Sequence, residues 1–176
     1  MLPYLFVVFA VAFRFMPHQF GFTPVIASLL FFGARGSRKQ MWVPVVLLIA
    51  SDLLLNKFVY AYPLAADQYV TWAWYALIVW LGTTLQKNSG LLRILATALA
   101  GSVSFFVISN GAVWAVYNMY PKTMAGLVTC YEMGLPFFRR ALEGDLLFTA
   151  AMFAAPLAIR AVSDALQRPT HPTATA

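Results

Sequence analysis

The sequence predicts an all-α integral membrane protein, a bundle of about six transmembrane helices in which the second span is short. Three observations carry this expectation. Of 176 residues, 61% are hydrophobic and only 10% charged, and the mean hydropathy is +0.74. A soluble domain of this length must present a largely polar exterior and could not hide that much apolar surface. The apolar residues fall in runs bounded by charges or prolines, at about 3–16, 23–34, 41–56, 70–86, 92–117 and 144–162, as membrane helices do. Finally, the basic residues cluster between the runs, where they act as orientation signals.

Those clusters also decide what the net charge means. Twelve Lys and Arg against six Asp and Glu give +6, a balance that in a soluble protein points to nucleic acid. Here the bases flank apolar runs, so no nucleic acid is expected as a partner. A single cysteine, Cys130, excludes an intramolecular disulfide and a Cys-rich metal cluster. Two histidines, His18 and His171, are too few for a His-based metal site. No nucleophile elbow, zinc-protease, P-loop or dinucleotide-binding pattern is present, and the residues name no cofactor. No enzyme activity is expected.

Each run has its own justification. The first, "MLPYLFVVFAVAFRF", lacks the basic n-region and small-residue cleavage site of a signal peptide. It is expected to be the first membrane helix of the mature protein, with Arg14 near its outer end. The second, "TPVIASLLFFGA", falls short of the ~17–20 residues of a straight span. Either it is a half-span or its start lies in "HQFGF"; protein must bury its ends if it stops within the bilayer. The third places Asp52 near its outer end, in "LLIASDLLLN". An ionisable group in a membrane costs ~2.5–3.5 kcal/mol and usually has a partner, so Arg14 and Asp52 are expected to approach each other as a structural ion pair.

The fifth run ends in "FFVISNGAVWAVYNMYP", where Asn110, Trp114 and Tyr117 are spaced to share one helical stripe. Two readings of Asn110 stand, an interhelical hydrogen bond and a ligand contact. Trp114 and Tyr117 suit interface anchors as well as a pocket wall. The sixth run is expected to start with Asp145 in its first turn, where the helix dipole favours an acid. Before it, residues 118–143 read as an outer loop containing Cys130, which is expected to be inert. One transmembrane domain covers 1–165, followed by a disordered Pro/Thr-rich tail at 166–176. Counting Lys and Arg near the span ends puts both termini on the cytoplasmic side.

With that orientation the aromatic residues gather on the outer side. His18, Phe20 and Phe22 lie in one outer segment. Tyr60, Tyr62, Tyr69, Trp72 and Trp74 lie in the next, and Tyr117, Tyr120, Tyr131, Phe137 and Phe138 in the third. An ordinary aromatic belt marks both interfaces; a one-sided concentration suits a lined cavity with an apolar wall and few polar groups. The expected ligand-binding set is His18, Phe20, Trp72, Asn110, Trp114, Tyr117, Tyr120, Tyr131 and Phe137, braced by Arg14 and Asp52.

The stretches "FRFMPHQFGFTPVIASLLFFGA", "VPVVLLIASDLLL", "SFFVISNGAVWAVYNMYPKTMAGLVTCYEMGLPFF" and "GDLLFTAAMF" resemble an uncharacterised bacterial membrane-protein family, domain of unknown function 6580. A first helix ending before a proline-bearing loop, a second closing on Gly, a basic loop, and a third ending in Ser-Asp-Leu-Leu more distantly resemble the substrate-binding S-components of energy-coupling-factor vitamin transporters. That resemblance implies six helices, cytoplasmic termini in a bacterial inner membrane, and a vitamin pocket near the outer face. Their Ala-x-x-x-Ala docking pattern is not cleanly present, since Ala10 is followed four positions later by Arg14. The function this implies is capture of a small vitamin-like or cofactor-precursor molecule, with the lipid bilayer, the small molecule and an energising transporter module or another membrane protein as partners. The alternative is a non-catalytic accessory or assembly subunit that docks another membrane complex.

Overall fold

The computed structural model describes residues 1–17, 21–61, 63–85 and 89–167. Two expected ligand-site residues, His18 and Phe20, lie outside the described residues, as does the tail from 168 onward. The regular structure described is helical throughout: α1 (Leu2–Arg14), α2 (Val25–Arg35), α3 (Trp42–Leu55), α4 (Ala66–Gly82), α5 (Leu91–Val116) and α6 (Met124–Gln167). A single 3-10 turn, Arg38–Gln40, leads into α3, and a wide π turn, Asn56–Tyr60, prolongs it. Three stretches are long and apolar enough to cross a membrane, Arg38–Tyr60, Leu91–Val116 and Met124–Gln167, while α1 and α2 are shorter apolar helices. The chain is therefore a helical membrane protein in character.

α2 is the axis of the bundle. Its 11 residues rise about 16 Å, roughly half the hydrocarbon thickness. Every residue from Val25 to Gly33 is buried, so neighbouring helices rather than lipid surround it. Lipid is as apolar as leucine, so close packing and not water exclusion holds such a helix in place. Glycine makes that packing possible on the α4 side. A methyl on Gly33 would collide with the Val79 carbonyl oxygen and lie 2.9 Å from the Gly82 Cα, and a methyl on Gly82 would strike the Leu30 carbonyl. The two backbones touch there. Val7, Leu48, Trp74, Ile78 and Ala98 complete the core from α1, α3, α4 and α5. On the α6 side Phe31 stacks edge-on with Phe6 and Phe153, at 4.9 and 5.1 Å between ring centres.

α5 and α6 form an antiparallel hairpin. Ser102 donates to Asp145 (2.7 Å), Phe106 meets Phe138 (4.7 Å between rings), and Tyr131 donates to the Val107 carbonyl (2.7 Å). This pairing corrects the expected outer loop at 118–143. Residues from Met124 onward are already helix, and α6 runs 44 residues through Pro136 and Pro156, about 66 Å of rise. The Thr123 hydroxyl accepts from the Gly126 N–H (3.1 Å) and so caps its start. Arg139 and Glu143, which read as loop charges, pair at 3.2 Å one turn apart on the exposed face. Asp145 is mid-helix and buried rather than in a first turn, and Cys130 is buried against α5 rather than in a loop. The helix also includes Leu166 and Gln167, which the sequence assigned to the tail.

Candidate functional site

The ends of α1, α3, α4 and α5 that carry most of the aromatic residues meet at one end of the bundle. There the expected site residues separate into three groups. Arg14 closes α1 and reaches α3, where one guanidinium nitrogen donates to Ser51 (2.6 Å) and another to the Asp52 carboxylate. The second Asp52 oxygen accepts from the Trp72 indole (2.9 Å), and the Tyr75 hydroxyl lies 3.4 Å from the first. Asp52 is 3% exposed, so this network ties three helices around one buried carboxylate whose charge is offset by the guanidinium. Trp72 and Tyr75 lie three apart on α4 and so present to the same side. Ser51 and Tyr75 were not among the expected residues; the Ser-Asp dipeptide and the Trp-x-x-Tyr spacing are the signals that point to them.

A recess of about 350 Å³ opens on this network, lined by Arg14, Phe15, Met16, Pro17, Leu55, Val59 and Tyr60. Its size lies at the lower edge of small-molecule sites, and its wall is apolar with one charged group. The π turn supplies Val59 and Tyr60 and closes with Ala61 at φ 53°, a left-handed conformation that costs a residue with a Cβ about 1–2 kcal/mol.

The second group surrounds the end of α5. The helix stops at Val116, and Tyr117 is extended (φ −98°, ψ 150°). Tyr117 therefore leaves the stripe it was expected to share with Asn110 and Trp114, because three-and-four spacing aligns side chains only within a helix. Its hydroxyl instead donates to Asp67 in the first turn of α4 (3.0 Å). That bond, with the nearby carboxylate charge and slight burial, holds the Tyr117 phenol above its ordinary value. Trp114 donates to the Pro121 carbonyl (2.9 Å), and Lys122 returns to the carbonyls of Trp114, Ala115 (3.2 Å) and Tyr117 (2.7 Å). Its ammonium also lies 5.4 Å from the Trp114 ring centre. A cation on the last carbonyls of a helix complements their partial charge. Sequence reading missed Lys122, although a lysine just past an apolar run ending in Tyr-Pro is the signal for it.

The third group lies in the α5–α6 seam. Asn110 donates to the Phe106 carbonyl of its own helix (2.8 Å), and its Oδ1 would be 2.5 Å from a methyl on Gly134. The Cys130 thiol contacts the Asn110 carbonyl (3.4 Å), and the Tyr131 ring packs on Phe106 (5.5 Å). Neither Asn110 nor Tyr131 lines the recess. Tyr120 is half-buried, and Phe137 is 52% exposed on α6. A further buried acid, Asp145, bonds to Ser102 across the same seam with Thr149 fully buried one turn on. Among the described residues no cluster of His, Cys, Asp or Glu is disposed to hold a metal ion.

No curated protein and no solved structure matches the chain. One family model does, over residues 1–166, a span that contains all three side-chain groups. The chain belongs to the family of unknown function DUF6580.

Proposed function

We propose that this protein is a six-helix, membrane-embedded substrate-binding protein of the S-component type. It captures a small vitamin-like or cofactor-precursor molecule at its aromatic end. In this reading α1 and α4 cross with the three longer helices, α2 is a short span held among them, and the aromatic end faces away from the cytoplasm of a bacterial inner membrane. The single observation that carries the proposal is the recess seated on the Arg14–Asp52–Trp72 network. Apolar side chains form the wall, and a guanidinium held on two partners supplies a fixed polar contact at its edge. Because Arg14 is already neutralised by Asp52, the recess suits an uncharged, ring-bearing molecule with one acceptor. Native mass spectrometry of the purified protein should detect a co-purifying small molecule, and Val59→Trp, which fills the recess from an exposed position, should abolish it. Labelling of Lys57→Cys in a Cys130→Ala background exclusively from the cytoplasmic side would refute the reading, because the recess would then open the wrong way.

A second reading, an accessory subunit docking another membrane complex, draws on α6. Arg139, Arg140 and Glu143 are exposed at the level where α6 pairs with the middle of α5. Ionised groups at that depth are disfavoured against lipid, and a protein partner would shelter them. Cross-linking from Leu147→Cys, on the same exposed face, to a second polypeptide in native membranes tests it; cross-linking only to lipid would count against it.

A further inference from the structure

A second, larger cavity lies at the opposite end of the bundle from the recess. It encloses about 850 Å³ between the start of α1, the end of α2, the start of α5 and the second half of α6. Three of these elements change character in the same direction along its wall. α2 goes from Phe31 to Arg35, α6 from Phe153 through Leu157 to Arg160, and α5 from Ile94 through Leu91 to Ser89. The deep part is therefore aromatic and aliphatic, and the rim carries two guanidinium groups and a hydroxyl. The Ser89 Oγ is shielded from solvent and has no hydrogen-bond partner among the described residues, an arrangement that in a buried site calls for a ligand or water. The first turn of α5, which begins at Leu91, points its positive dipole end at the same rim.

This end is also the basic one. Its described residues include Arg35, Arg38, Lys39, Arg93 and Arg160, with Asp164 the one acid among them. Arg38 and Arg93 are engaged with the carbonyls of Thr83 (3.4 Å) and Thr84 (3.0 Å) at the end of α4, so they brace the helix rather than the cavity. Arg35 and Arg160 face the cavity.

We infer that this cavity binds an anionic phospholipid. Its phosphate sits at the rim against Arg35, Arg160 and Ser89, and one acyl chain lies along Phe31, Ile94, Phe153 and Leu157. The polarity gradient matches that of a lipid crossing from headgroup to hydrocarbon, and guanidinium forks match phosphate oxygens. A soluble phosphate would leave the apolar wall of Phe31, Ile94, Phe153 and Leu157 without an occupant. This site is independent of the recess and of what binds there.

The test uses the full chain in neutral detergent and native mass spectrometry with three probes: dioleoyl-phosphatidylglycerol, dioleoyl-phosphatidylcholine and inorganic phosphate. Phosphatidylglycerol should be retained, and Arg35→Gln with Arg160→Gln should weaken retention roughly thirty-fold, two basic contacts' worth. Ala154→Phe, which fills the cavity from an exposed position on α6 and leaves both arginines, should weaken it as well. Arg139→Gln with Arg140→Gln removes the same charge elsewhere and should leave retention unchanged. Equal retention of phosphatidylcholine overturns the inference, as does full retention in Ala154→Phe or an equal loss in the Arg139/Arg140 control. Displacement of the lipid by millimolar inorganic phosphate would make this a phosphate site and overturn the lipid assignment.

Discussion

Replacing Asp52 with alanine would separate the two kinds of interaction that meet at the aromatic end. The carboxylate side chain is 4% exposed and the Arg14 side chain 17% exposed, so water can replace the lost partner only partly. After the substitution Arg14 keeps the Ser51 hydroxyl but loses its carboxylate partner, and the Trp72 indole and Tyr75 hydroxyl lose an acceptor. Breaking a buried ion pair from one side costs about 3–5 kcal/mol. A neutral interhelical hydrogen bond in a membrane averages only about 0.6 kcal/mol. The stranded guanidinium therefore dominates, and Asp52→Ala should lose about 4 kcal/mol. The double variant Arg14→Met/Asp52→Ala removes both charges and should lose clearly less than Asp52→Ala alone. Equilibrium unfolding in mixed micelles, run as a double-mutant cycle, reads both quantities. A single-variant loss below about 1 kcal/mol, or a double-variant loss equal to the sum of the singles, would refute the reasoning.

Other expectations are equally direct. Gly82→Ala should destabilise by about 3 kcal/mol, because its methyl meets the Leu30 backbone and backbone cannot rotate away; Gly90→Ala, with open space around it, should be near neutral in the same thermal unfolding assay. Tyr117 should titrate above the ordinary tyrosine value of 10.0 because of Asp67, and Asp67→Asn should bring it back down in an ultraviolet difference titration. The raised folded-state value means this bond's stabilisation is complete below pH 10.0 and is lost as pH rises through the folded value. Lys122→Gln should leave the bundle folded but speed amide exchange over the last turn of α5, Val113 to Val116, since three carbonyl contacts weaken.

Helix order was legible because apolar runs in lipid must begin and end where charges or prolines stand, and α1 through α5 follow those marks within a few residues. α6 was not, and its charges explain why. Glu132, Arg139, Arg140 and Glu143 look like a loop when each is counted as a break, whereas on the helix all four are exposed. Thr123 was the overlooked sign, an N-cap residue whose hydroxyl reaches Gly126. Within the site, Arg14 and Asp52 could be matched because two opposite charges at similar depth in lipid attract strongly. Their link to Trp72 could not, since it depends on how α4 is rotated about its axis. The Asn110–Trp114–Tyr117 stripe failed for a local reason: periodicity does not reveal that the helix ends one residue before Tyr117.

The meeting of Gly33 with Gly82 carries a consequence for how the chain is made. A ribosome delivers α1 and α2 to the membrane well before α4 emerges, and neither early segment is long enough to settle in a bilayer alone. α2 must wait at the insertion machinery, or slip back, until the α4 backbone arrives to clasp it. In released chains ending just before Ala66, which α3 anchors, Ser28→Cys should therefore stay open to aqueous labelling, whereas in chains ending after Gly90 it should be protected, a difference that belongs to biogenesis and not to the finished fold.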